Sequence, residues 1–296
     1  MLVMALVSIV AWDLAARQQI DIRRTSNLLG HDQALLYAEG MEAWAGQILA
    51  RDAASGSVDY LGQDWSQHLP PLPVDGGLLT GELVDQQGLY NVNNLLNGGT
   101  IDPAEQARFR RLLAALELPV DLADAVADWL DSDQDRRFPG GGEDQEYLAA
   151  TPPYRAANAQ IRSVTELRLI QGFTADYYRR IAPFVTALPE RTPINVNTAP
   201  LPVLVALVPG LRLNDAEALV EGRGLRGYRD VANFAQQPSL IAHVADLGMG
   251  TGISVGSHYF LAHGRVILGS LSLEFYSLLS RSQAQVSLVR RIQGTL

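Results

Sequence analysis

The stretch LAARQQIDIRRTSNLLGHDQALLYAEGMEAWAGQILAR, residues 14–51, holds no proline and is built largely from good helix formers, so its simplest reading is one long helix. Leu28, Ala34, Ala38, Met41, Ala45 and Ile48 recur at three- and four-residue steps from position 34 onward, which predicts that one side of this helix is covered. The cover is either a sheet of the same chain or a helix of a partner. Upstream, Met1–Trp12 is an apolar run with no basic residue before it. It is shorter than the roughly twenty apolar residues that span a bilayer, and it lacks the positive flank of a secretory signal. It reads as the tail of a longer apolar segment, with Trp12 at the membrane–water boundary that tryptophan favours. Joined to this run, the helix would extend roughly 75 Å at about 1.5 Å per residue, far beyond what a globular core needs.

Downstream, a linker broken by Pro70, Pro71 and Pro73 occupies residues 52–77. Two strand candidates follow, Leu78–Val84 and Leu89–Leu95, joined by Asp85-Gln86-Gln87-Gly88, which has the turn chemistry of a hairpin. The period then becomes helical. Phe109, Leu112, Leu113 and Leu116 share a face, as do Leu122, Val126, Trp129 and Leu130, with Pro119 as a break between them. Leu167–Phe173 and Val205–Leu211 form a faint repeat, each with a glycine (Gly172, Gly210) before an amphipathic segment, similar to the tight turn of a helix-hairpin-helix unit. Helical character persists to about residue 247. The chain then returns to strand at Tyr259–Leu268, Ser270–Leu279 and Gln285–Arg291. Strands on both sides of a helical block predict an α+β protein in which a helical domain, residues 99–254, interrupts a host made of 1–52, 53–98 and 255–296.

Residues 128–147 crowd seven carboxylates around a glycine-rich turn. Asp131, Asp133 and Asp135 alternate like the first ligands of an EF-hand, and carboxylate oxygens so spaced suit calcium. Arg136 stands where that loop needs glycine, however, and Glu143 arrives one residue late, so this is not an EF-hand. Two readings remain open: a loop wrapping calcium with Asp131, Asp133, Asp135, Glu143 and Asp144, or an exposed acidic loop held apart by solvent and salt.

The net charge of −9 argues against a grip on phosphate backbones as the main activity, and the absence of cysteine excludes disulfides and thiolate metal sites. The second hairpin unit, residues 190–230, balances five arginines against five acids, which favours a structural role over nucleic-acid binding. No nucleophile elbow, phosphate-cradling loop or His-Glu-x-x-His pair is present, and the five histidines are scattered. A nucleic-acid module and a metal-dependent hydrolase are the alternatives this leaves; an enzyme is the weaker class.

Four motifs then fall in order across nearly the whole chain: Arg17-Gln18-Gln19-Ile20-Asp21-Ile22-Arg23-Arg24, Asp85–Leu95, Asp128-Trp129-Leu130-Asp131-Ser132-Asp133 with Glu143-Asp144 and Tyr147, and Ile194-Asn195-Val196-Asn197-Thr198-Ala199-Pro200. Together they resemble the minor pseudopilin K family of bacterial type II secretion systems. The resemblance implies a pilin-like fold, a long N-terminal helix packed on an antiparallel sheet and interrupted by a large all-α insertion. It implies a non-enzymatic subunit at the tip of a periplasmic pseudopilus, in complex with other minor pseudopilins, that starts assembly of the fibre exporting folded proteins. It also implies a single-pass anchor in the bacterial inner membrane with the bulk of the chain in the periplasm, no nucleic-acid or small-molecule ligand, and calcium held by Asp131, Asp133, Glu143 and Asp144. Where the family carries Gly-Ala-Glu-Asp this chain has Gly141-Gly142-Glu143-Asp144, which predicts a looser turn into the ligands. Ile20, Leu28, Leu35, Ala38 and Met41 are the residues expected to meet the partner pseudopilins.

Overall fold

The computed structural model describes residues 2–247 and 252–294. Helix α1, Leu2–Ser55, is continuous for 54 residues, and among the described residues its buried positions all lie in its C-terminal half. Ala34, Ala38, Met41, Ala45 and Leu49 form the buried seam. Steps of four, three, four and four keep this line on one face at 3.6 residues per turn, so Leu49 takes the innermost place and Ile48 falls at the margin.

The cover is the chain's own sheet. Strands β1 (Leu72–Val74), β2 (Gly77–Asp85), β3 (Tyr259–Leu268), β4 (Leu271–Ser282) and β5 (Gln285–Gln293) lie side by side in chain order, every neighbouring pair antiparallel. The three C-terminal strands stand where the sequence places them. Ala34, Ala38 and Met41 pack on Val266 and Phe275 toward one end of the sheet; Ala45 and Leu49 pack with Trp65, Phe260 and Leu279 toward the other. A notch sets the helix against the sheet: Gly81 and Gly264 are directly opposite each other on β2 and β3, and Met41 fills the space that two side chains would otherwise take.

The hairpin expected over residues 78–95 does not form. Strand β2 ends at Asp85 and pairs with β3, far along the chain, while Tyr90–Asn91 makes a two-residue parallel pairing with Val185–Thr186 and Val92–Leu95 turns into one 3-10 helix. The polar residues read as turn chemistry are buried instead, Asp85 and Gln87 among them: Asp85 accepts from the Asn195, Thr198 and Ser257 side chains, and Gln87 accepts from the His258 N–H and donates to the Pro193 carbonyl. The proline-broken linker is likewise part of the host: it buries Trp65 and supplies β1.

Between β2 and β3 sits the helical insertion, with α2 (Pro103–Ala115), α3 (Leu122–Leu130), α4 (Asp144–Leu148), α5 (Ala175–Ile181), α6 (Leu201–Ala206), α7 (Leu213–Gly222) and α8 (Val231–Ala235) around one core. It is built from two related units. Each opens with a two-residue strand and an Asn-Val-Asn run, Tyr90–Asn91 pairing in parallel with Val185–Thr186 and Ile194–Asn195 with Ile253–Ser254. In both, the first asparagine's Oδ1 accepts from the second's backbone N–H, at 3.1 Å for Asn91 and 3.0 Å for Asn195. Gly172 and Gly210, with φ of +85° and +79°, make the tight turns that the repeat predicted ahead of α5 and α7.

The notch is testable. A Cβ on Gly264 would lie 2.2 Å from both Met41 Cε and Phe275 Cζ, so Gly264→Ala should cost about 1–3 kcal/mol by overpacking. Gly40→Ala, in open space on the same helix, should instead stabilise by about 0.5–1 kcal/mol. Urea denaturation of both variants decides; equal stability of Gly264→Ala and the parent would refute the notch.

Candidate metal centre

All nine residues of α3 are buried, so this helix has no free surface and delivers its last turn into the interior. Asp128 and Asp131 lie three apart, one helical turn, and so share a side; Asp131 also ends the helix, its N–H bonded to the Ala127 carbonyl at 3.0 Å. The loop after them returns through three glycines that are packed tight rather than loose. A Cβ on Gly140 would meet the Asp121 carbonyl at 2.2 Å, and one on Gly141 would meet Asp128 Oδ2 at 2.1 Å. At Gly142 the obstacle is the end of the Gln171 side chain, which can swing aside. That is why alanine is admissible at this one position, and the expected looseness of the Gly-Gly step is absent.

The glycines bring Glu143, at the start of α4, against the end of α3. Asp128, Asp131 and Glu143 each offer a carboxylate oxygen, all within 4.8 Å of one another, and all three residues are buried. Arg137 enters the same space: its Nη1 is 2.7 Å from Asp128 Oδ1 and 2.5 Å from Asp131 Oδ2. Only the first contact has hydrogen-bond geometry, so both oxygens of Asp131 and both of Glu143 are buried without a hydrogen-bond donor. Burial first, and then the charges of Asp128, Asp131 and Asp133, push the Glu143 carboxyl up to about 7; burial likewise raises Asp128 and Asp131 against the pull of Arg137. Around the group, Arg136 binds the Gly141 carbonyl at 2.7 Å and Glu146 at 2.9 Å, and the Trp129 and Tyr147 rings meet edge to face at 5.2 Å.

Three buried carboxylates, with Asp131 Oδ1 and both oxygens of Glu143 lacking any donor and Asp131 Oδ2 ion-paired to Arg137, make an oxygen-only group whose chemistry suits a hard cation such as calcium. Of the residues singled out from sequence, Asp131 and Glu143 are in the group. Asp133 and Asp135 are exposed, with Asp133 Oδ1 accepting from Asp135 N at 2.9 Å. Asp144 faces elsewhere, accepting from Ala156 N at 3.1 Å and pairing with Arg155 at 3.1 Å. Asp128 was missed as a ligand; its signal was the one-turn spacing to Asp131 on a helix already assigned. No histidine belongs to the group, and four arginines of the hairpin units are engaged locally: Arg179 with Asp176, Arg212 with Asp215, Arg229 with Asp230, and Arg223 on the Ala199 carbonyl.

The family model for type II secretion system protein K matches residues 88–190 and 194–255, the two units of the insertion. Type II secretion system protein K of Pseudomonas aeruginosa is 40% identical, over 96% of this chain and 87% of its own. That of Pectobacterium carotovorum subsp. carotovorum is 34% identical over 99% and 94%. The chain belongs to the type II secretion system protein K family. Its structure is similar to one solved in the GspK-GspI-GspJ complex of the enterotoxigenic Escherichia coli type 2 secretion system, with a TM-score of 0.84, 29% identity and coverage of 92% of this chain and all of the other. It is therefore a minor pseudopilin with a pilin-like α+β fold, from a family of structural components rather than known enzymes.

For this minor pseudopilin the partner residues expected from sequence divide. Ile20 and Leu28 are exposed and Leu35 is half-buried, but Ala38 and Met41 lie under the chain's own sheet. The apolar seam they belong to is used within the fold, which leaves Ala38 covered, whereas Met41 also lines the cavity between α1 and the first two strands. Among the described residues, no helix is long and apolar enough to cross a membrane.

The raised Glu143 carboxyl fixes a pH dependence. Between its ordinary value of 4.5 and about 7, the metal-free fold keeps a proton that the unfolded chain has lost; this contribution to stability is full below the ordinary value and is lost as pH rises through 7. In chelator, Glu143→Gln should therefore melt higher than the parent at pH 8 and alongside it at pH 4.5. A difference of the same size at both values would show that Glu143 does not titrate in this range.

Proposed function

We propose that this minor pseudopilin caps the tip of the pseudopilus, begins its assembly with other minor pseudopilins and so supports export of folded proteins across the outer membrane. One observation carries the reading: the insertion is seated at the end of the host opposite the free end of its helix. The chain leaves the sheet at Asp85 and rejoins it at Tyr259, and Asp85 and Phe260 are register partners. At that same end, Arg281 of β4 pairs with Asp52 in the last turns of α1 at 2.8 Å. A helical fibre repeats one heterologous contact from subunit to subunit. A unit the size of a whole domain on the upper end blocks the place of the next subunit up, while the uncovered N-terminal part of α1 points down the fibre. The apolar residues there, with Trp12 exposed, support anchorage of this end in the inner membrane.

The insertion's carboxylates support a further part of the reading, that calcium is held by Asp128, Asp131 and Glu143, with Asp133 close by. Bound calcium would supply the positive charge that Glu143 lacks, beside the Arg137 guanidinium that already pairs with Asp128 and Asp131, and would fasten the end of α3 to the start of α4. Because the ion must displace the Glu143 proton, calcium should raise the melting temperature fully above pH 7 and weakly at pH 5. Asp131→Ala should abolish the shift; an undiminished shift in that variant would refute the ligand set. Position is tested by gold-labelling assembled pseudopili. Label confined to one end supports the cap, and label spaced along the shaft overturns it.

A further inference from the structure

Strand alternation puts Glu82 and His263 on the face of the sheet away from α1, since their neighbours Gly81 and Gly264 turn toward Met41. They are register partners on β2 and β3, and Tyr276 on β4 is the next residue across the row. The Tyr276 ring lies flat on the His263 imidazole, with centroids 4.4 Å apart and planes 2° from parallel, and so holds that ring's orientation. His263 Nδ1 is 3.1 Å from Glu82 Oε1, while its Nε2 is buried without a hydrogen-bond partner. On the other side of the same carboxylate stands His68, from the proline-broken segment before β1, with Nδ1 3.4 Å from Glu82 Oε2. Two histidines that the sequence scatters thus meet on one carboxylate.

The spacings suit a shared metal ion better than a pair of ionic hydrogen bonds. A charge-assisted N–H···O bond is about 2.7–2.9 Å long, and both contacts exceed it. Two ligands held at about 2.0–2.1 Å by one tetrahedral zinc ion stand about 3.3 Å from each other, and 3.1 and 3.4 Å lie on either side of that value. The donor set selects the ion: imidazole suits zinc, whereas the all-oxygen group at the end of α3 suits calcium. The two nitrogens address opposite oxygens of Glu82, so a shared ion takes a turn of the His68 side chain, which is 83% exposed and has room to make it. We propose that His68, Glu82 and His263 hold a zinc ion on the outer face of the sheet, with water in the fourth position. The ion would fasten the segment before β1 to β2 and β3, at an edge where β1 itself contributes only three residues.

The test uses the full chain in detergent, freed of metal by chelator and then held in excess calcium, with zinc sulfate as the titrant in calorimetry. Equimolar binding is expected. Groups that merely orient a metal ligand cost about 10–100-fold in affinity when lost, so removal of a ligand itself should cost about a hundredfold or more. His68→Ala, Glu82→Gln and His263→Phe, the last keeping a ring against Tyr276, should each weaken zinc by that amount. Asp131→Ala, which disables the carboxylate group of the insertion, should leave zinc affinity unchanged. In chelator His68→Ala should melt with the parent, because its side chain is exposed, so its loss of zinc reads as loss of a ligand and not of the fold. Absence of equimolar zinc binding in the parent, or parental affinity in His68→Ala, overturns the site. Loss of zinc in Asp131→Ala with retention in the other three variants assigns zinc to the carboxylate group and overturns it as well.

Discussion

The structure depends on a buried polar joint where the helix, the sheet and the insertion meet. Arg281 of β4 reaches Asp52 at 2.8 Å and Asp59 at 2.6 Å, donates to the Ser257 carbonyl at 2.8 Å, and lies over the Phe260 ring at 4.6 Å. One guanidinium thus ties the end of α1, the loop after it, the chain entering β3 and the core of the sheet. Beside it, Asp85 at the end of β2 is buried without a cation of its own and is held by donors alone: Gln87 N, Asn195 Nδ2, Ser257 Oγ and Thr198 Oγ1, at 2.8, 2.9, 2.7 and 2.6 Å. Burial pushes the Asp85 carboxyl up and these donors pull it back. A charge removed from water is tolerable only when so satisfied, and loss of one partner leaves the others stranded. The joint is therefore specific: each of its residues fits only the full arrangement.

The asparagines extend the same logic through the insertion, which has little regular ladder to satisfy its backbone. Asn93 brackets Ile161, accepting from its N–H at 2.9 Å and donating to its carbonyl at 2.8 Å. Asn94 does the same for Thr192, and Asn197 for Tyr228. An amide side chain offers one acceptor and two donors in a plane, so it pairs with a peptide unit as a neighbouring strand would. Buried backbone must be paired. Here two Asn-Val-Asn runs accomplish it with two-residue strands.

This explains what the sequence revealed and what it hid. The seam of α1, the three C-terminal strands and the glycine turns before α5 and α7 follow from periodicity and backbone freedom, which are local. Leu89–Leu95 reads as the second strand of a hairpin because Asp85–Gly88 has turn chemistry, but the bonds of Asn91, Asn93 and Asn94 go to residues 188 to 192 and to Ile161, which no local rule can see. The carboxylate group was half legible for a related reason. Alternation drew attention to Asp133 and Asp135, whereas burial, which needs the fold, selects Asp128 and Asp131 on the helix.

The place of the insertion also bears on how such a subunit can exist. Strands β2 and β3 are adjacent, and the Gln86 N–H donates to the Tyr259 carbonyl at 3.0 Å just beyond the end of the ladder. The insertion therefore occupies the position of an ordinary hairpin turn, and its two ends are as close as neighbouring strands require. A domain joined through such a gap leaves register, twist and the helix seam of the host undisturbed. The exposed surface of α1 is consequently kept, and only the end of the host where the chain leaves and rejoins the sheet changes. The Arg281 joint adds what two chain crossings alone would not provide: it ties the end of α1 to the loop after it and to the chain entering β3, and Asn195 of the insertion donates to the Asp59 carbonyl and the Ser257 hydroxyl at 3.2 and 2.9 Å.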